Sequence, residues 1–222
     1  MVVEGLNGII EALVGEAPVE KIILPARRRD ERIARIKELA RQRGIPFLFS
    51  PAEKRGRAYI SSVATVVEED VLSRPAVLAL DRVEDPMNLG AIIRTAFAFD
   101  VPVVLEKRHS PPLNETVARA SAGALFRASV HRTASLQAFL RRAREQGFWV
   151  VGAERGGTSL GDFKPPEKFI LVVGSEGKGL RKPISSMCDF RVEIPMRGDF
   201  DSLNVSVATG IILYSLIHHG LK

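Results

Sequence analysis

From residue 76 to residue 217 this chain of 222 residues alternates short β-branched runs with segments of helical period. That alternation restricts the fold more than any other feature. Strand candidates fall at 76–80, 103–105, 129–131, 148–152 and 169–173, and a strand end at 192–194 is closed by Pro195. Helix candidates fall between and after them at 89–99, 114–123, 135–146 and 203–217. Asn114 suits the cap position of its helix. In 135–146, Leu136, Phe139, Leu140 and Ala143 share one face and Gly147 ends the run. Strands joined by helices run parallel, and a parallel sheet needs both faces covered. The expected fold class is therefore α/β with a mostly parallel sheet.

Residues 1–72 read as a separate small α/β unit. Asn7 can cap a short helix carrying Ile9, Ile10 and Leu13. Residues 21–24 suit a strand ended by Pro25. The clearest helix is 30–43, with Ile33, Ile36, Leu39 and Ala40 on one face and Gly44 and Pro46 beyond it. A buried strand is expected at 47–49 and a β-branched one at 59–67. The charged run 68–74, closing on Pro75, reads as a linker. The expected division is thus 1–72 and 73–222.

Charge narrows the partners. The chain carries a net charge of +6, with a pI near 9.8. Residues 27–57 hold eleven Lys and Arg against four acids, a local charge of +7. Such a cluster concentrates polyanions, although it can also be a solvated helix face. No aromatic face accompanies it on the helix, which disfavours a membrane partner. No apolar run has membrane-spanning length and no secretory leader is visible, so a cytoplasmic protein is expected. Cys188 is the single cysteine and reads as a small buried hydrophobe before a nucleophile. His109, His131, His218 and His219 lack zinc-ligand spacing, so no metal is expected.

The run at 194–212, IPMRGDFDSLNVSVATGII, passes from a strand end through a polar loop, Arg197 to Asp201, into a long apolar segment. Ser202 and Asn204 there are capping residues by type, and they also stand where open α/β sheets hold ligands. Gly174, Gly177 and Gly179 make a loop that a ligand can approach closely. It lacks the Lys-Ser or Lys-Thr of a nucleotide-phosphate loop, and no G-x-G-x-x-G is present. These features define a cofactor-sized cleft beside a basic unit.

Three ordered motifs carry a resemblance over about residues 75–218. Asp85, Pro86, Met87, Asn88, Leu89, Gly90 and Arg94 form the first. The second is 171–180, with Gly174, Glu176, Gly177 and Gly179, and the run at 194–212 is the third. Together they resemble the SpoU-type RNA ribose 2′-O-methyltransferases of the SPOUT superfamily. The resemblance implies S-adenosylmethionine as cofactor, held by backbone groups of Gly174, Ile194 and Leu203. It places Asn88, Arg94, Glu176, Ser202 and Asn204 around the acceptor nucleotide. It also implies a trefoil knot made by the C-terminal segment. The order of elements in 1–72 is similar to the RNA-binding domain that many of these enzymes carry, which points to ribosomal RNA before tRNA. The family often casts Arg94 as the base. A guanidinium with a pKa above about 12 suits a forked grip on phosphate better. A non-catalytic RNA-binding protein of the same fold is the rival reading, but such a protein would be expected to lose Asn88, Arg94 or Asn204. The helix at 203–217 has apolar residues on more than one stripe, which predicts a homodimer through that helix, as the family also implies.

Overall fold

A computed structural model describes residues 1–197 and 202–219. Most of the polar loop expected after Pro195 lies outside them. The first unit has the order β1 (Val2–Glu4), α1 (Leu6–Val14), β2 (Val19–Pro25), α2 (Glu31–Gln42), β3 (Phe47–Ser50) and β4 (Arg57–Ile60). Its sheet runs β1-β4-β2-β3, with β2 and β3 parallel and the other pairs antiparallel. A short helix, α3 (Glu68–Leu72), leads into the second unit. There follow β5 (Ala76–Asp81), α4 (Pro86–Ala98), β6 (Val103–Glu106), α5 (Glu115–Ala120), a 3-10 turn (Ala124–Phe126) and β7 (Val130–Thr133). Then come α6 (Leu136–Glu145), β8 (Trp149–Ser159), β9 (Phe169–Gly174), α7 (Lys182–Ser185), β10 (Phe190–Glu193) and α8 (Val205–His219).

The second sheet has the order β10-β8-β9-β5-β6-β7, and each of its pairings is parallel. Strand β5 shows why both faces are covered. Leu78 and Leu80 point to a core shared with α1, α4 and α8, while Val77 and Ala79 point to a second core under α6. Side chains alternate along a strand, so an unbroken apolar run can only be satisfied by two layers. Phe139 of α6 is fully buried in the second core.

Local chemistry sets the helix starts. Asp30, Asn114 and Ser135 each accept an N–H of their own first turn, at 3.1, 3.2 and 3.3 Å. Asp85 does the same for α4, accepting from the N–H of Asn88 at 2.9 Å. Asn88 is therefore inside the first turn rather than its cap. Gly90 is required by packing. A Cβ there would lie 2.4 Å from the Cβ of Ala120 and 2.8 Å from the Val117 carbonyl. Helices α4 and α5 thus meet backbone to backbone.

Several expectations are corrected. Residues 68–72 form α3, not an open linker; Glu68, Glu69 and Asp70 occupy its first turn, where negative charge is favourable. The strand expected at 59–67 ends at Ile60, because Ser61 turns its N–H and hydroxyl to the Pro18 carbonyl and leaves the sheet. Strand β3 is an edge strand with Leu48 and Phe49 exposed, not a buried one. Helix α1 starts at Leu6 after Gly5, without a side-chain cap, and Asn7 instead accepts from Arg32. Strand β8 continues past Gly152 to Ser159, pairing with β10.

Candidate functional site

The site is built where β5, β9 and α8 bring three loops together. Asn88 lies in the first turn of α4, just beyond β5. Glu176 lies in the loop after β9, and Asn204 just before α8. The Asn88 amide nitrogen donates to Glu176 Oε2 at 3.2 Å, and Asn88 Oδ1 accepts from the Asn204 amide at 3.0 Å. Asn204 Oδ1 then accepts from the backbone N–H of Ser206 at 3.0 Å and from its hydroxyl at 2.6 Å. The carboxylate can only accept, so it fixes which end of each amide faces which way along the relay. Asn204 therefore serves both readings of the sequence: it caps α8 and belongs to the cluster.

The loop after β9 is folded tightly. Ser175 and Gly179 exchange backbone hydrogen bonds, N–H to carbonyl, at 3.2 and 3.0 Å. A Cβ on Gly174 would stand 2.1 Å from the carbonyl carbon of Gly179, so no larger residue fits there. An ion cluster anchors the end of this loop. The Arg181 N–H and Nε donate to Asp81 at 2.8 and 2.5 Å, and its Nη2 donates to Glu106 at 2.9 Å. Asp81 is fully buried, and the other Glu106 oxygen accepts from the N–H of Leu136 at 3.0 Å. Peeling the loop away would leave two carboxylates buried without their counter-charge, which is strongly unfavourable.

The other expected site residues stand as follows. Arg94 is exposed on α4 and makes no ion pair among the described residues. It follows Asn88 by six residues, which places it roughly 9 Å further along the helix and about 120° around it, outside the relay. Its neighbour Thr95 faces α8, 3.6 Å from a Cβ built on Gly210. Ser202 is exposed, whereas Ile194 and Leu203 are half-buried and Ile194 packs on the main core. Sequence reasoning missed Ser206, Asp81, Glu106 and Arg181. Asp81 carried a signal, a carboxylate closing the apolar run of β5. Among the described residues no group of three or more His, Cys, Asp or Glu could hold a metal. No described helix is long and apolar enough to cross a membrane.

Cys188 is half-buried and its thiol donates to the Ile184 carbonyl at 3.5 Å, which suits a packed thiol better than a nucleophile. Burial, and then the Glu154 carboxylate, push its thiol up from 9.0 to about 12. The fold thus favours the neutral thiol. Its contribution to stability is whole below pH 9 and is lost as pH rises from 9 towards 12. Urea denaturation over that range should show the stability gap between wild type and Cys188→Ala shrinking with pH; a constant gap would refute this.

Comparison with known proteins agrees with the geometry. The family model described as the SpoU rRNA Methylase family matches residues 75–214. YacO of Bacillus subtilis, assigned to the TrmH family of tRNA/rRNA methyltransferases, is 33% identical over 233 residues, covering 96% of this chain and 93% of its own. The SpoU methyltransferase AviRb from Streptomyces viridochromogenes, solved with AdoMet, superposes with a TM-score of 0.84 at 25% identity, covering 100% of this chain and 90% of that one. A structure described as giving insight into 2-OH methylation of C/U34 on tRNA has a TM-score of 0.61 at 29% identity, covering 66% of this chain and 96% of its own. Fold and family matches together define an α/β RNA methyltransferase. The chain belongs to the SpoU rRNA methylase family.

Proposed function

We propose that this chain transfers a methyl group from S-adenosylmethionine to a ribose 2′-hydroxyl of RNA, in a guanosine of 23S ribosomal RNA before a tRNA nucleotide. The observation that carries this is the hydrogen-bonded relay of Glu176, Asn88 and Asn204, one residue from each of three distant motifs. Gly174, Ile194 and Leu203 would hold the cofactor. They suit it, since Gly174 ends β9 and offers only backbone, while Ile194 and Leu203 are half-buried apolar side chains beside the same loops. Bound there, S-adenosylmethionine supplies an electrophilic methyl group.

The chain's own residues do the rest. The relay fixes the direction of two amides, so an acceptor nucleotide docked on Asn88 and Asn204 is oriented before reaction. Glu176 is a carboxylate able to accept a hydrogen bond from the hydroxyl as its proton leaves. Arg94, further along α4, offers its planar fork to a phosphate of the same RNA, and Ser202 offers the acceptor a hydroxyl. Residues 1–72 recruit the RNA and residues 73–222 perform the transfer. In this reading the C-terminal segment is threaded as a trefoil knot, and the return of α8 from β10 at the sheet edge onto α4 and β9 supports it. Two copies pair through α8, and the enzyme works in the cytoplasm. Ribosomal RNA is favoured by the matching family model, and by the solved tRNA-related structure's covering only 66% of this chain.

The test is to incubate the protein with methyl-labelled S-adenosylmethionine and total bacterial RNA, then digest to nucleosides. Label in 2′-O-methylguanosine from the 23S fraction is expected. Label on a base, or none in any RNA, overturns the reading.

A further inference from the structure

A cavity of about 320 Å³ lies away from the relay, between the β1–α1 turn and helix α5. Arg28, Arg32, Arg55 and Arg119 line it, against the carboxylates of Glu4 and Glu115. Three of these arginines come from the first unit and Arg119 comes from the second.

Their existing partners show which are committed. Arg32 is forked onto Asp30 at 2.9 and 2.7 Å and gives another nitrogen to Asn7 at 3.0 Å. Arg28 also donates to Asp30, at 3.1 Å. Asp30 therefore steadies two guanidinium groups and partly neutralises them. Arg55 reaches Glu4 only at 3.9 Å and its side chain is 77% exposed. The Arg119 side chain is exposed and makes no hydrogen bond or ion pair among the described residues. Two largely uncommitted cations thus stand in one cavity on opposite units. The first turn of α1, which no side chain caps, adds its backbone N–H groups to the same wall.

We propose that this cavity seats one backbone phosphate of the substrate RNA with its ribose, so that both units grip the RNA together. The proposal rests on the RNA reading above. The volume suits a sugar-phosphate. No aromatic ring lines it, so it offers a base nothing to stack on. It also opens beside the basic segment 27–57, which favours a polymer over a free nucleotide. The α5 wall rests directly on Gly90, two residues after Asn88, so the seat and the relay share one helix contact.

The test measures filter binding of labelled bulk bacterial ribosomal RNA across a salt series. The variants are Arg55→Gln, Arg119→Gln, their double, Arg119→Lys, and a control double, Arg141→Gln with Lys164→Gln, outside the cavity. One shared phosphate predicts that the double Gln variant loses a log–log slope of about 0.7 to 0.9 and that each single Gln variant loses no more than that. Arg119→Lys should keep the slope, and the control should keep both slope and affinity. Affinity for S-adenosylmethionine by calorimetry should stay unchanged throughout. Slopes equal to wild type in the Gln variants, while wild type binds RNA, overturn the seat alone. A double losing about twice the slope overturns the single shared phosphate. A wild type that holds no RNA overturns the seat together with the reading beneath it.

Discussion

Arg94→Ala should lower the rate of RNA methylation at least about 100-fold, the usual cost of losing a group that aligns the reactants. Its side chain is exposed on α4 and contributes nothing to either core. Thermal stability should therefore change by no more than about 0.5 kcal/mol. Cofactor affinity should also survive, since the residues proposed to hold it, Gly174, Ile194 and Leu203, lie on other segments. Arg94→Lys should recover little, because a point charge cannot reproduce a planar fork. Single-turnover kinetics with saturating cofactor would check this, and near-normal turnover of the Ala variant would remove Arg94 from the mechanism.

Ile211→Glu should dissociate the expected homodimer. Val205, Ile212, Leu213 and Leu216 bury one stripe of α8 inside the chain. Val207, Ile211 and Tyr214 remain 51%, 41% and 58% exposed on another. Tyr214 stacks on His218 at 4.3 Å, which extends that apolar stripe towards the helix end. A contiguous surface of this kind is costly in water and usually marks an interface. Placing a charge at its centre should cost about 2 to 4 kcal/mol of association, or roughly 30- to 1000-fold in Kd. Light scattering over a dilution series should show a dimer for wild type and a monomer for the variant. A monomeric wild type at micromolar concentration, with activity intact, would refute the interface. Because Thr95 meets α8, Arg94 lies close to this surface, so the same variant should lose activity along with its partner.

The second unit was legible because its segments are strongly periodic. Helix α6 shows one apolar face and a Gly stop, and β9 is apolar throughout, so each could be placed without tertiary information. Errors arose where a local pattern competed with long-range pairing. The acids at 68–70 look like a spacer but suit a first turn. The β-branched run after Ile60 would suit a strand, yet Ser61 bonds across to Pro18 instead. Sequence could name Asn88, Glu176 and Asn204, but not their contact, because hydrogen bonds spanning 88 and 116 positions leave no local trace. The arginines of the junction cavity were visible as charge. Their meeting with Arg119 was not, since it depends on how the β1–α1 turn packs on α5.

The bond between Asn204 and Asn88 also has a meaning for synthesis of the chain. A ribosome releases β5, α4 and β9 well before residue 204 emerges, so the sheet can form while the relay is still missing its last member. The contact that completes the relay arrives only with the residues that open α8.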